Sequence, residues 1–496
     1  MLVAVPDTSL VAQSASQELT WGADAEGGAP FVEADPTRPE RVVGFEVEVA
    51  RLIADGLGRT PRFVQAGFTS LDALVARGDF HLAMGGVEDL PARRAHLALT
   101  IPYYEFPEVL TVRVADRQRF RTLADLRGRR VATLGSTLAY DLLIEGQATH
   151  GITVKVYEDD VHPYTDLTLG RVDAVVLDQV LAERGVRRNT GLVNQPDPLA
   201  IGHYVAALSQ QNAPLRDQID DILREAMRDG RLEAIFRRWG LWNDRQPQLY
   251  ARVAGVGVPG RPGVAQVTGA EPSAAAPVEP HPGDWVLARR YLPTLLRAAV
   301  ITVVLSTGAM ALAVLLGGLI AAGRVYGPSW AGVLLTAWVE IVRGTPLLLQ
   351  LFVLYFGLAE VVDLPAFLAA LLGLGLNYSA YESEIYRGAL LAVPAGQLEA
   401  ARALGLTDLQ ALRLVRGPQA FRLALAPMTN DFIALLKDTS LVSVITVVEL
   451  TKQTQIFASN LGSWALPGAM CAALYLVLSL PLASLARRIE ASWGSR

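Results

Sequence analysis

Residues Pro394 to Pro418 read PAGQLEAARALGLTDLQALRLVRGP, and the reading of this stretch decides the fold of the half of the chain that holds it. It predicts a helix, a break at Gly405, and a second helix that starts at Thr407 with Gln410 three residues on, the spacing of a capping box. Glu399, Ala400 and Ala401 set one charge beside two small side chains on the first helix, which lets another surface approach closely. Working outward, both flanks are strongly apolar. Between Arg297 and Arg324 lie 26 residues without an ionisable side chain, and Gln453 to Ala486 is an uncharged run of 34. A helix needs only ~20 residues to cross a ~30 Å hydrocarbon layer.

Three further apolar stretches carry charges: Trp330 to Leu358 holds Glu340 and Arg343, Leu364 to Tyr386 holds Glu382 and Glu384, and Leu423 to Val448 holds Asp431, Lys437 and Asp438. Ionisable groups at membrane depth are costly, so these helices are expected to face protein or a water-filled path. The reading is an all-α transmembrane domain of about five helices over 285–496. Five spans put the two ends on opposite sides. Arg324, the Arg387 to Arg422 segment, Arg487 and Arg488 fall on one side, and Glu360 and Asp363 on the other. The excess of arginine marks its side as cytoplasmic, which places the 394–418 loop and the C-terminus inside and the preceding domain outside the cell.

At 496 residues the chain is long enough for at least two domains. A net charge of -5 argues against a nucleic-acid partner, which would require a basic face. The single cysteine, Cys471, excludes an intrachain disulfide or a cysteine-built metal cluster, and no cofactor is implied. Residues 1–17 resemble the tail of a leader or a disordered terminus. Residues 246–284 are dense in Pro, Gly and Ala and are expected to be a flexible tether. Trp285 and Tyr291 follow as interface anchors.

Residues 18–245 alternate short apolar runs with amphipathic ones, the pattern of an α/β domain with largely parallel strands. Strands are expected at Leu19–Ala23, His81–Met84, Thr111–Val114, Arg130–Thr133, Thr153–Tyr157 and Ala174–Leu177. Helices are expected at Phe45–Leu57, Leu71–Ala76 (ended by Gly78) and Leu138–Glu145.

The 394–418 stretch resembles the EAA loop of ABC importer permeases, with Glu399, Ala400, Ala401 and Gly405 in register. The likeness extends through Arg343-Gly-Thr-Pro-Leu-Leu-Leu-Gln-Leu-Phe, Ser379-Ala-Tyr, Glu384-Ile-Tyr-Arg-Gly and Leu436-Lys-Asp-Thr-Ser-Leu-Val-Ser to the polar-amino-acid permeases. That family places two apolar residues before the proline where this chain has Arg416-Gly417-Pro418. The first half resembles the periplasmic amino-acid-binding family, two α/β lobes around a cleft (type II-like). The likeness runs through Trp21-Gly-Ala-Asp24, Ala29-Pro-Phe31, Gly44-Phe-Glu-Val-Glu48, Gly85-Gly86 to Arg93, Pro102-Tyr-Tyr104, Gly135-Ser-Thr137, Gly170-Arg-Val-Asp-Ala174 and Asp178.

The resemblance implies that Arg93 takes a ligand carboxylate with the Ser136–Thr137 helix end, that Asp178 and Asp24 take an ammonium, and that Phe68 stacks on the ligand side chain. Gly86 and Glu88 join the same site. Phe31 reads more readily as core, and Asp173 as structural. The family usually has Ser and Thr where this chain has Glu88 and Leu90; Glu88 beside Arg93 would repel a carboxylate or favour a cationic side chain, a polyamine or an unusual amino acid.

The function implied is the substrate-binding and permease subunit of an ABC importer for a small polar solute, most simply an amino acid, with the permease domain acting as a homodimer. The only lysines, Lys155, Lys437 and Lys452, follow Val, Leu and Thr, so the chain has no Gly-Lys step for a P-loop, and the ATPase must be a separate partner. A ligand-gated channel shares the binding fold but inserts its pore between the lobes. A dehydratase shares it as a free soluble enzyme.

Overall fold

The computed structural model describes residues 17–256 and 284–493, apart from positions 27, 29, 36, 359, 360, 363 and 462. The expected leader remnant lies outside the described residues but for Gln17, as do residues 257–283 of the expected tether and the acidic pair Glu360 and Asp363. The described residues fall into two compact units, one running to Arg290 and including 456–464, the other holding the rest.

The first unit is built on two sheets. Its strands are β1 (Glu18–Ala23), β2 (Glu33–Ala34), β3 (Val42–Val43), β4 (Thr60–Gln65), β5 (Leu82–Ala83), β6 (Leu97–Leu99) and β7 (Tyr104–Arg113). After them come β8 (Arg130–Leu134), β9 (Thr153–Tyr157), β10 (Ala174–Asp178), β11 (Leu192–Asn194), β12 (Ala200–Tyr204) and β13 (Ala207–Ser209). One sheet has the order β4-β1-β5-β13-β6, the other β11-β7-β10-β8-β9 with β12 beside β7.

β1 runs parallel to both neighbours, pairing Trp21 with Phe63 and with Leu82. Flanked by β4 and β5 it is covered on both faces, which is why Thr20 and Gly22 are buried as well as Leu19, Trp21 and Ala23. In the second sheet β8 runs parallel to β9 and β10. Its core gathers Leu110, Val112, Phe120, Val131, Leu143 and Val176.

Two chain segments cross between the sheets, Thr100–Tyr103 and Val205–Ala206, and they bond to each other. Thr100 N donates to Ala206 O at 2.9 Å and Tyr103 N to Tyr204 O at 3.1 Å, while Ala206 N donates to the Thr100 hydroxyl at 2.9 Å. Paired crossovers of this kind are where a two-lobed domain flexes.

Most expected elements are present. The helix at Leu71–Arg77 ends on Gly78 at φ 94°, as its sequence implies. Two features depart from the reading. The expected strand at Thr111–Val114 is the end of a much longer one, β7, and it pairs antiparallel with β10, β11 and β12, so the second sheet is mixed. The start of the expected tether is ordered: Gln246–Ala254 is a helix with Leu249 and Tyr250 buried. The Pro-Gly composition of the whole 246–284 stretch hid the apolar side chains at its beginning.

The second unit begins within a 43-residue helix, Asp284–Tyr326, that would span ~65 Å at ~1.5 Å per residue, about twice a hydrocarbon layer. Ser329–Gly344 and Leu347–Gly357 follow with a 104° bend between them. Ala366–Ala392, Ala395–Ala403, Asp408–Ala411, Gly417–Asp438, Leu450–Leu461 and Ala465–Trp493 complete the helical part. Among the described residues two helices, at 284–326 and 465–488, are long and apolar enough to cross a membrane, and the bent pair makes a third if it is one span. The expected count of about five includes Ala366–Ala392 and Gly417–Asp438, which are long enough but more polar.

Gly44 ends the turn that leads into the Phe45–Gly56 helix with φ 149°, and a Cβ built there would lie 1.9 Å from the Phe31 carbonyl oxygen. Gly44→Ala is therefore expected to cost roughly 2–4 kcal/mol. Calorimetry of the detergent-solubilised chain should show the soluble unit melting several degrees lower; an unchanged melting temperature would contradict this account of the turn.

Candidate ligand cavity and coupling loop

The carboxyl ends of the parallel strands in both sheets open on one cavity, the usual position for a ligand in an α/β fold. Asp24 follows β1, Gly85 and Gly86 follow β5, Thr137 follows β8, and Asp178 ends β10. With Phe31 and Phe68 they line about 560 Å³ of space, part of it open to solvent. Six of the eight side chains or backbones expected at the site are there: Asp24, Phe68, Gly86, Glu88, Thr137 and Asp178.

Arg93 and Ser136 are not among the lining residues. Arg93 is buried, and its Nε donates to both oxygens of Asp72 at 2.8 and 2.9 Å. Nη1 reaches Glu88 O at 3.0 Å and Nη2 reaches Ser136 O at 3.1 Å. The guanidinium thus ties the Leu71–Arg77 helix to the segments flanking the cavity. Ser136 takes φ 61°, unusual for a residue with a Cβ, and presents its carbonyl to Arg93.

Sequence reasoning missed Glu26, Gly28, Gly85, Leu134, Leu181 and the run Glu158-Asp159-Asp160, all of which line the cavity. The acidic run had a usable signal, because it directly follows an expected parallel strand, β9. Phe31, read as core, is both buried and cavity-lining. Asp173 is structural as expected: it accepts from Arg130 N at 3.0 Å.

Glu46 shapes the site from behind. It is fully buried; Oε1 accepts from the Tyr103 hydroxyl at 2.7 Å and from Gly86 N at 3.2 Å, while Oε2 accepts from Gly85 N. One carboxyl group thereby fixes the glycine loop to a crossover segment. Burial pushes its pKa up to about 7 against the pull of those three donors.

The same cause acts on the cavity acids. Glu88 rises to about 8, through burial and then Asp178 and Asp141, opposed by the Leu138 amide and Arg93. Asp178 rises to about 6, through burial and then Asp160, opposed by the Leu181 and Val180 amides and Tyr204. Asp160, paired with Arg184, is raised by burial as well. No Arg, Lys or His is among the residues that line the cavity, whereas seven Asp and Glu are. A site of this charge attracts cations and repels anions.

In the other unit, the 394–418 loop has the expected form. Ala395–Ala403 ends at Gly405, φ 80°, and Thr407 caps the next helix: Gln410 N donates to its hydroxyl at 3.3 Å, and Thr407 N donates to Gln410 Oε1 at 2.9 Å. Arg416-Gly417-Pro418 makes no break. The chain stays helical through it, with Arg416 Nε donating to Leu390 O at 2.7 Å. Glu399 and Ala400 are exposed, Ala401 is buried, and Leu404 and Leu409 are 83% and 72% exposed.

A two-lobed domain with a cavity at its strand ends, continued in the same polypeptide by long apolar helices, defines a solute-binding domain fused to a membrane permease domain. Residues 19–241 match the bacterial extracellular solute-binding proteins, family 3, and residues 313–494 match the binding-protein-dependent transport system inner membrane component. The glutamine transport system permease protein GlnP of Escherichia coli is 36% identical over 211 residues, 42% of this chain and 96% of that protein. The L-cystine transport system permease protein TcyB of Bacillus subtilis is 41% identical over 157 residues, 31% of this chain and 67% of that one. Among solved structures, holo ArgBP from T. maritima aligns at 27% identity over 46% of this chain and 99% of its own, with a TM-score of 0.41. The chain belongs to the amino-acid ABC transporter permeases, and it carries their solute-binding domain in the same polypeptide.

The raised acids give a sign to the pH dependence of stability. Each binds its proton more tightly folded than unfolded, so the stability it contributes is complete below the ordinary carboxylate range. That stability is lost as pH rises through about 6 for Asp178, 7 for Glu46 and 8 for Glu88. The ligand-free soluble unit should melt several degrees lower at pH 8.5 than at pH 5.5. Glu88→Gln should flatten the upper part of that slope, and the exposed Asp217→Asn should not; a melting temperature that rises with pH would contradict the assignment.

Proposed function

We propose that this chain is the capture and passage subunit of an importer: it takes a small cationic solute, an amino acid or an amine, from outside the cell and passes it inward, driven by a separate cytoplasmic ABC ATPase. The observation that carries the reading is the union, in one polypeptide, of an acid-lined cavity at the strand ends with a permease domain. Asp24, Glu88 and Asp178 offer carboxylates to a cation, and Phe31 and Phe68 offer ring faces, which attract cations through their quadrupoles. Arg93 acts here as a strut that sets Glu88 and the Ser136–Thr137 turn, with Asp72 as its counter-ion.

The cytoplasmic side of the reading rests on the 394–418 loop. A loop passes force to a partner only if it is gripped, and the exposed Leu404, Leu409 and Leu414 beside Glu399 and Ala400 form an apolar and acidic surface suited to a cleft in the ATPase. Gly405 supports the sharp reversal between the two helices, since a residue without Cβ takes positive φ freely. Five spans, with arginine-rich loops inside, put the cavity outside and this loop in the cytoplasm. One permease domain per chain implies that two copies make the pathway, so two binding domains serve one passage.

Gly405→Asp and Glu399→Lys in the full chain, reconstituted in liposomes with the partner ATPase, should leave ligand affinity unchanged. Uptake and ligand-stimulated ATP hydrolysis should fall roughly tenfold or more, within the usual span of coupling free energies. Normal uptake in both variants would remove the loop from the mechanism. Native mass spectrometry of the complex should find two copies of this chain; one copy beside a different permease would overturn the pairing.

A further inference from the structure

The helix Leu138–His150 begins at the cavity wall. Its N-cap, Thr137, accepts from Tyr140 N at 3.1 Å, and the Leu138 amide is taken by Oε2 of Glu88. The first amides of a helix, at the positive end of its dipole, form the natural receptor for a ligand's carboxylate. Here the protein's own carboxylate already occupies it. Glu88 is 3% exposed and fixed by a backbone bridge to Tyr204, so it is held at that position by the fold.

The second receptor for a ligand carboxylate would be Arg93, and its contacts are with Asp72, Glu88 O and Ser136 O, outside the cavity lining. Behind Glu88, Glu108 lies across the β7–β10 pair from Asp178 and is fully buried, which pushes its pKa well up. Asp24 and Glu26 face the cavity from one lobe, and Asp159, Asp160 and Asp178 from the other. Among the described residues that line it, the cavity therefore has acids on both walls and no Arg, Lys or His to receive an anion. Burial holds the protons on Glu88 and Glu108, and a cation in the cavity favours the ionised form of the acid it meets.

We propose that the ligand is an organic cation without a carboxylate, an amine, diamine or guanidine, and that Glu88 stands where the carboxylate of an amino acid would otherwise bind. This rests on the capture reading above and narrows its substrate class. Glu88 is the specificity-determining residue: its carboxyl group fills the helix end that a second carboxylate would take, and on binding of a cation it releases its proton and receives the ammonium or guanidinium as a carboxylate.

The test uses the full chain in detergent and titration calorimetry with twin compounds that differ only by the α-carboxylate, L-arginine against agmatine and L-lysine against cadaverine. In the wild-type chain at least one decarboxylated twin should bind ~10-fold more tightly than its amino acid, or more. Glu88→Ser, which frees the Leu138 amide, should narrow or reverse that preference; Glu88→Gln, which keeps the size and removes the charge, should reduce it. An amino acid that binds as tightly as its twin, or tighter, overturns the inference and leaves the capture reading standing. Binding of none of the four compounds overturns the capture of a cationic solute as well. If Glu88→Ser fails to fold, the wild-type comparison decides alone.

Discussion

A carboxyl group removed from water has to find a donor, and in this protein Glu88 finds one at the start of the Leu138–His150 helix. That bond occupies the first amide of the helix, and the Arg93 contact to Ser136 O adds a second link beside it. Arg93 holds the Glu88 carbonyl from the other side, with Asp72 balancing its charge. The arrangement separates two tasks that one arginine often combines. The guanidinium supports the wall, and the acids face the ligand.

The sheets make this possible. Parallel strands present their carboxyl ends on a common edge, so Asp24, Gly86, Thr137 and Asp178, far apart in sequence, converge without any long loop. The antiparallel β7 and β12 do a different job: they carry the chain between lobes and place Glu108 and Tyr204 beneath the cavity floor. Glu46 then links the glycine loop to the Tyr103 crossover, so flexing of the hinge and the shape of the ligand wall are mechanically connected.

Much of this was legible in the sequence because it depends on local rules. Gly78 and Gly405 sit where a helix must end with positive φ, and Thr407 with Gln410 spells out its own cap. Six cavity positions were readable from ordered motifs. What was not legible depends on where a side chain turns once folded. Arg93 has a carboxylate within reach on either side, and only the packing of the Leu71–Arg77 helix brings Asp72 to it. Glu158 to Asp160 are a different case: their place after an expected parallel strand was a usable signal, and the position of β9 in the second sheet brings them to the cavity. The antiparallel course of β7 could not be read either, since its apolar run is compatible with both strand directions.

In the membrane half hydropathy and position run in opposite directions. The most apolar helices, at 284–326 and 465–488, are for the most part not buried against the rest of the protein, and they expose Val300, Leu315, Leu319, Leu476 and Val477. The helices Ala366–Ala392 and Gly417–Asp438, which carry charges along their length, pack along each other and hold two of those charges in contacts: Glu384 with Arg324 and Arg387, and Asp438 with the Tyr378 hydroxyl at 2.8 Å. Lipid has no groups to satisfy a charge, so only a helix shielded by others can carry one, and only a helix facing lipid needs to be uniformly apolar. A count of spans from hydropathy alone therefore favours the outer helices. Polarity excludes from that count the two helices that flank the 394–418 loop, which are the ones any movement of that loop must pass through.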